Sequence, residues 1–531
     1  MAHQNHAYID KSPIAGNGLF AGKAVPAGES ILSISRPLIG TLNVVHLPDT
    51  CANCFTWTTG SLIGSRTYVP DGLTVKKCAG CQLVRYCSKK CQKESWKRFH
   101  KDECELTRSM IGKDIPTAVR ATMQILIMRA KGLINDETWS SILRLESHVD
   151  DMRATGGDRW AEIQLMAQGA WSFSGTRLTF TRDFATEMFA RILTNCLTLV
   201  TPTFDPIGIC LDPLAACANH SCDPNAVVVM DGPEMSFRSL KSIKKDEEIF
   251  ISYIDVTNPH ARRQHELKQR WYFSCTCSKC QKGPNLREDL FNFAPNKLDR
   301  KFCETADMVM KTTSFADDPA NWVGAGPDAR RVAIIQGMAF DQYETSQARS
   351  DPKEAIARLE DGMRLCFQSK LWPIHRQPYA SMRHDLFVNM ISVGNYFIAF
   401  AQGAKTYFHI DPILFPQPHH PVRVVHNWTL AMLTLYLASE PDAPGVKDMV
   451  DQGIDLGVIM YGLLYEVISN VSQSHGQSSS FGMAVRRKME EVSADMTGGN
   501  RAALPAALRG MQDRIKDQWK LFEQVGTWIQ Y

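Results

Sequence analysis

The chain has 531 residues, 44% of them apolar and 22% charged, with a formal net charge of +3. At roughly 100–200 residues per domain this gives three to five structural units, which excludes a small stapled scaffold; the near-neutral balance implies no general nucleic-acid-binding surface, leaving only local basic patches open, and no low-complexity tract implies a long disordered arm. The N-terminal MAHQNHAYIDK has no signal-peptide core and no run reaches the ~18 apolar residues of a membrane span, so the expected setting is cytoplasmic or nuclear, where the sixteen cysteines stay reduced and close Cys spacings mean metal ligation.

In chain order, residues 7–45 alternate apolar stretches (ESILSISRPLIGTL) with Gly and Pro and read as short strands and turns. Cys51 to Cys104 is dense in Cys, Lys and Arg and poor in aliphatic residues, so metal must hold it together. Residues 107–195 turn helical. In VRATMQILIMRAKG, Val119, Met123, Leu126, Ile127 and Ala130 share one face, and Gly132 stops the helix. Residues 205–254 return to strands (AVVVM, EMSFRSL, EEIFISYI). After a Cys-rich hinge at 275–280, residues 285–531 read as successive helices. DLFVNMISVGNYFIAFAQGA and VVHNWTLAMLTLYLASE flank the loop FPQPHHP, as in helix hairpins, and SHGQSSS reads as a mobile loop.

The pairs Cys51-x2-Cys54, Cys78-x2-Cys81, Cys87-x3-Cys91 and His100-x3-Cys104 supply eight soft ligands, enough for two tetrahedral zinc ions. Spacing alone permits a sequential arrangement (51/54 with 78/81) or an interleaved one (51/54 with 87/91). A third cluster, Cys275, Cys277 and Cys280, has three ligands where a structural zinc needs four; Cys222 completes it, with His220 as rival. Cys196, Cys210, Cys217, Cys303 and Cys366 have no partner at chelating spacing and read as core thiols. The heptad NHSCDPN, Asn219 to Asn225, needs a partner for nearly every side chain, because an unpaired buried polar group costs roughly 1–3 kcal/mol.

Tyr86, Trp96 and the run CQLVRYCSKKCQKESWKRFHKDEC resemble the second half of a MYND zinc finger. The resemblance implies interleaving: Cys51, Cys54, Cys87 and Cys91 on one zinc, and Cys78, Cys81, His100 and Cys104 on the other. The 23 residues between Cys54 and Cys78 form a longer loop than that family usually has. Lys76, Lys77, Lys89, Lys90, Lys93, Lys97 and Lys101 read as solvated faces, with a patch for acidic or nucleic-acid partners as the sharper alternative. MYND fingers bind proline-containing peptides, so a protein partner is the better expectation for this surface.

GNGLFA (16–21), LTNCLTL (193–199), ANHSCDPN (218–225), ISYID (251–255) and WYFSCTCSKC (271–280), in that order around the finger, resemble the SET-domain protein lysine methyltransferases of the SET-and-MYND branch. The resemblance covers residues 7 to about 285. The fold it implies is α+β and multidomain. Residues 1–45 and 191–256 form a β-rich SET core, 46–106 an inserted MYND finger, 107–190 a helical insert, 257–284 a zinc-bound post-SET segment, and 285–531 an all-α domain of TPR-like helix hairpins.

The implied cofactors are S-adenosylmethionine and three zinc ions, and the implied activity is methyl transfer to a lysine side chain of a histone or non-histone protein. The resemblance places Gly16, Asn17 and Gly18 against the cofactor's amino-acid part. It gives Asn195, Asn219 and His220 amide, imidazole and backbone contacts to the cofactor. Glu146 and His148 would meet the adenosine, although an exposed helix face is almost as good a reading of both. Tyr253 is the catalytic candidate and also lines the lysine channel, and Phe273 stacks near the adenine. Trp271, in the channel wall, replaces the branch's usual tyrosine, and Phe20 stands where a basic residue is frequent. The rival readings are an inactive zinc-scaffold adaptor that recruits partners through the finger and helical half, and zinc-dependent nucleic-acid binding, which the charge balance opposes. A monomer with no membrane segment is expected.

Overall fold

Period-two alternation in AYIDK and NGLFA produces an antiparallel hairpin of β1 (Ala7–Lys11) and β2 (Asn17–Ala21), in register Ile9 with Leu19. Its turn closes on Gly16 at φ +56°, where Ser12 N donates to Gly16 O at 3.0 Å. The computed structural model describes residues 6–59, 69, 72–285, 288–289, 300–312, 327–500 and 503–531. Eleven of the 23 residues between Cys54 and Cys78 lie outside them.

The next strands are β3 (Ser30–Ile34) and β4 (Ile39–Leu42), followed by a short finger hairpin of β5 (Lys76–Lys77) with β6 (Arg85–Tyr86). The finger ends in a helical rod: α1 (Lys89–Ser95), one wide π-type turn (Trp96–His100) and α2 (Lys101–Arg108). Ser88 starts it as an N-cap, accepting from Cys91 N at 3.1 Å.

The helical insert comprises α3 (Thr117–Ala130), α4 (Asp136–Leu143), α5 (Val149–Thr155), α6 (Gly157–Phe173) and α7 (Arg182–Asn195). Gly132 does end α3, at φ +69°, with Leu133 N on Met128 O at 2.8 Å. The single apolar face expected for α3 is a correction. Ile125, Leu126 and Met128 pack toward Ile39 and Leu211, while Val119, Met123 and Ile127 pack on Ile163, Ala167 and Phe189, so the helix is buried on two sides and Ala130 is exposed.

The chain then returns to strands: β7 (Leu197–Val200), β8 (Pro206–Leu211), β9 (Asn219–His220), β10 (Ala226–Asp231), β11 (Glu234–Ser239) and β12 (Phe250–Ile251). They make small sheets, β10-β11-β3 and β4-β8-β7, and a parallel β9–β12 pair that joins the NHSC stretch to the ISYID stretch.

Two packing units emerge: residues up to Ile251 with 270–272 and 478–481, and residues 252–269, 273–477 and 482–531. In the second, helices Pro327–Gln347, Pro352–Ser369, Tyr379–Ser392, Tyr396–His409, Pro421–Ser439 and Leu456–Ser474 each pack on the next, the hairpin succession expected. Within DLFVNMISVGNYFIAFAQGA the chain turns at Gly394, φ +79°, between the helices Tyr379–Ser392 and Tyr396–His409. Leu504–Val525 returns onto this stack and places Phe522 against Phe400, ring centroids 5.2 Å apart. SHGQSSS is a short turn rather than a mobile loop: His475 is buried, and Ser480, already in the next helix, donates its N to Asp231 Oδ2 at 2.8 Å. No helix among the described residues is long and apolar enough to cross a membrane.

Candidate active site and metal centres

The finger's ligands converge as two sets, Cys51, Cys54, Cys87, Cys91 and Cys78, Cys81, His100, Cys104, each with its ligand atoms within 4.8 Å of one another. The interleaved arrangement therefore holds and the sequential one does not. The same turn is built twice: Phe55 and Gln82, each just after a Cys-x2-Cys pair, take φ +58° and +59°, and each donates its N to the first cysteine's carbonyl at 2.9 Å. The rod from α1 to α2 bridges the sets, giving Cys91 to one and His100 and Cys104 to the other. Gly80 is required because a Cβ there would lie 2.7 Å from Cys104 Sγ.

His100 is 1% exposed. Its Nδ1 meets Glu103 Oε1 at 2.9 Å and its Nε2 faces Cys81 Sγ at 3.7 Å, the orientation of a metal-ligating imidazole fixed by a carboxylate. The Tyr86 and Trp96 rings each stand edge-on to it at 6.0 Å. Thiol chemistry also fits zinc. Cys51, by hydrogen bonding, pulls Cys54 down to about 5, whereas burial and then the Cys54 charge push Cys87 up to about 12. Four thiolates can share this point only around a cation.

Cys275, Cys277 and Cys280 also bring their sulfurs within 4.8 Å of one another. The Gln264 side chain braces them, donating Nε2 to Cys275 O and accepting Cys275 N on Oε1, both at 2.9 Å. Cys222 is buried in the other unit, with His220 Nε2 3.3 Å from its sulfur.

That contact begins to show how NHSCDPN is satisfied. Asn219 Nδ2 donates to Asn17 O at 3.1 Å and to Glu248 Oε1 at 2.8 Å. Ser221 Oγ accepts from Asp223 N at 3.1 Å; Asn225 Nδ2 donates to Glu248 O at 2.9 Å and its Oδ1 accepts Phe250 N at 2.8 Å. The GNG turn and the NHSC stretch, with Asn17 and Asn219 202 residues apart in sequence, are thus fastened together. The His220 imidazole is turned to Cys222, and its main chain lies in β9.

Glu248 was not legible as a site residue. It is 6% exposed and accepts Ser12 Oγ on Oε2 at 3.0 Å, besides Asn219. A Cβ on Gly18 would overlap Glu248 Oε1 and lie 2.9 Å from its Cδ. The second glycine of GNG is therefore needed for this carboxylate, and only Gly16 for the turn. Phe20 stacks on Tyr8 at 5.8 Å.

A second group forms around the loop before α5. Asn195 Nδ2 donates to Glu146 O at 2.7 Å and to Arg191 O at 2.9 Å, and Thr194 Oγ1 to Ser147 O at 3.2 Å. Glu146 Oε1 accepts the main-chain N of Ser147 and His148, at 3.0 and 3.1 Å, and His148 Nδ1 meets Asp151 Oδ2 at 2.8 Å. Glu146 and His148 therefore sit in a loop, not on the helix face that was the alternative. Trp271 is 8% exposed and donates Nε1 to Thr194 O at 3.0 Å. Tyr272, another residue sequence reasoning missed, lays its ring against His148 at 5.3 Å.

Tyr253 and Phe273 are half-buried in the second unit, Tyr253 two residues past β12. Cys210, Cys217 and Cys366 are buried thiols as expected, and Cys196 and Cys303 are half-buried. All seven finger lysines are exposed.

Residues 16–254 match the family model described as "SET domain". Over 277 residues, 52% of this chain, the sequence is 31% identical to "SET domain and MYND-type zinc finger protein 6" of Schizosaccharomyces pombe, covering 52% of that protein. The chain thus carries a SET-domain match and is similar, over about half its length, to proteins named for SET and MYND domains. It is similarly 31% identical over 281 residues to "Histone-lysine N-methyltransferase ASHR1" of Arabidopsis thaliana (51% of this chain, 54% of that one), and 30% identical over 277 residues to human "N-lysine methyltransferase SMYD2" (51% and 59%). The matched stretch spans little more than half the length of these relatives. The two interleaved thiol sets and the fastened GNG and NHSC stretches all lie inside the SET match.

Proposed function

We propose that the protein transfers a methyl group from S-adenosylmethionine to lysine side chains of a protein substrate. The observation that carries this reading is the fastening of Asn219 to Asn17 O and to Glu248 within the SET stretch. The donor set fits that cofactor: both amide nitrogens, of Asn195 and Asn219, are taken by carbonyls and a carboxylate, so the groups left for a ligand are acceptors, as an ammonium and a sulfonium require. Lysine-methyltransferase names among the relatives point the same way.

When bound, the cofactor supplies a methyl group on a positively charged sulfur. Gly16, Asn17, Gly18, Asn219 and the His220 main chain would hold its amino-acid side, and Glu146, His148, Asn195 and Phe273 its nucleoside. Tyr253 would orient the target amine with its hydroxyl, Trp271 would contribute to the channel wall, and the main task is alignment for in-line displacement. A free lysine, with a pKa near ~10.4, must first lose a proton. An apolar channel next to a cation favours the neutral amine through desolvation and like-charge repulsion, so no general base is needed.

Zinc would occupy the two finger sets and a third site on Cys275, Cys277 and Cys280, with Cys222 as fourth ligand. Protein partners, including proline-containing peptides at the finger, follow from the family reading, and the chain acts as a monomer. The experiment is incubation of the purified protein with methyl-labelled cofactor and a cell extract. Label on protein lysines is expected. No label, together with no S-adenosylhomocysteine binding by calorimetry, leaves only a recruiting scaffold.

A further inference from the structure

We propose that Tyr272 is a cofactor-binding residue whose hydroxyl hydrogen-bonds the nucleoside half of S-adenosylmethionine, with the His148 ring as the facing wall. The inference rests on the methyl-transfer reading and deepens it.

Tyr272 Oη is buried and has no hydrogen-bond partner among the described residues. Buried hydroxyls in folded proteins are nearly always paired, so an orphan at the edge of an expected binding site points to a missing partner. The backbone adds a second observation. Tyr272 holds φ +61° and His148 φ +52°, a region that side chains with a Cβ rarely adopt, and the two rings face each other at 5.3 Å and 33°. Strained residues persist where their surroundings over-determine them, and ligand clamps are a common place for that.

The surroundings do so here from both sides. His148 is fixed by Asp151 on its ring and by Glu146 Oε1 on its main chain, at 2.8 and 3.1 Å. The peptide before Tyr272 is fixed by the Trp271 indole on Thr194 O at 3.0 Å. Thr194 and its neighbour Asn195 bind the same Glu146–Ser147 loop, so one continuous set of hydrogen bonds places the phenol beside the residues expected to hold the adenosine. A phenol both donates and accepts, which suits the hydroxyls and ring nitrogens of a nucleoside.

Tyr272→Phe removes one oxygen and leaves the ring. Calorimetry on the full chain with S-adenosylhomocysteine, and displacement by 5′-methylthioadenosine, which keeps the nucleoside but lacks the amino-acid half, should show both affinities falling by the same factor, about tenfold. The melting temperature of the ligand-free variant should be unchanged or higher, since an unpaired hydroxyl is gone. Wild type that binds neither compound defeats the methyl-transfer reading and this proposal with it. Wild type that binds while Tyr272→Phe binds equally well overturns the Tyr272 assignment alone. A lower melting temperature in the ligand-free variant also overturns it, since the hydroxyl would then have a partner within the fold.

Discussion

Replacing Gly18 with alanine should disrupt the candidate site through one side chain. The added methyl overlaps Glu248 Oε1, 2.9 Å from Cδ, and meets Phe20 Cε2 at 3.1 Å. Glu248 is 6% exposed, so its carboxylate can clear the methyl only by leaving Asn219 Nδ2 at 2.8 Å or Ser12 Oγ at 3.0 Å. A hydrogen bond to a charged group contributes about 1.5–3 kcal/mol. Losing one of the two therefore destabilises by about 2 kcal/mol, or about 4–8 °C in midpoint for a unit of this size.

The check is a four-protein cycle of wild type, Gly18→Ala, Glu248→Ala and the double variant, followed by thermal unfolding and S-adenosylhomocysteine affinity. With Glu248 shortened the methyl enters space, so Gly18→Ala should then cost nearly nothing and the coupling should be about 2 kcal/mol. Equal costs in both backgrounds would show that the glycine is not needed for this carboxylate.

Metal analysis should find about three zinc ions per chain, and Cys91→Ser and Cys222→Ser should each lose one; a wild-type count of two would contradict a site at Cys275. Burial pushes the Asp385 carboxyl up to about 6, partly opposed by hydrogen bonds from Gln347 and Tyr343. A carboxyl raised above its unfolded value of about 3.9 stabilises fully below that pH and loses the contribution as pH rises through about 6. Asp385→Asn should therefore raise the melting temperature at pH 7 by a few degrees, corresponding to about 1–2 kcal/mol, and change it little at pH 4; the same shift at both pH values would be a failure. Tyr253→Phe should slow methyl transfer by about tenfold or more, and an unchanged rate would remove Tyr253 from its assigned role.

The finger was legible because ligand spacing is a local property, but its interleaving came only from resemblance, since Cys54 pairs equally well on paper with Cys78 or Cys87. Strand segments in 205–254 and the stop at Gly132 follow from alternation and turn chemistry, which are local too. What failed was tertiary. The pattern of α3 shows one face because Ala121, Ile125 and Met128 look incidental until a second core packs on them. In DEEIF nothing separates Glu248, buried under Gly18, from the solvated acids beside it. The polar residues of NHSCDPN announced that partners must exist, but not that Asn17 and Glu248, far along the chain in both directions, would be among them.

The central claim is methyl transfer at the site built on Asn219, and its most direct measurement is mass spectrometry of proteins incubated with the purified enzyme and deuterated-methyl cofactor. Heavy methyl on lysine Nζ, reduced about tenfold or more in Tyr253→Phe and weakened in Gly18→Ala, is the expected result. Proteins free of heavy methyl, with the wild-type chain folded and zinc-loaded, would contradict it.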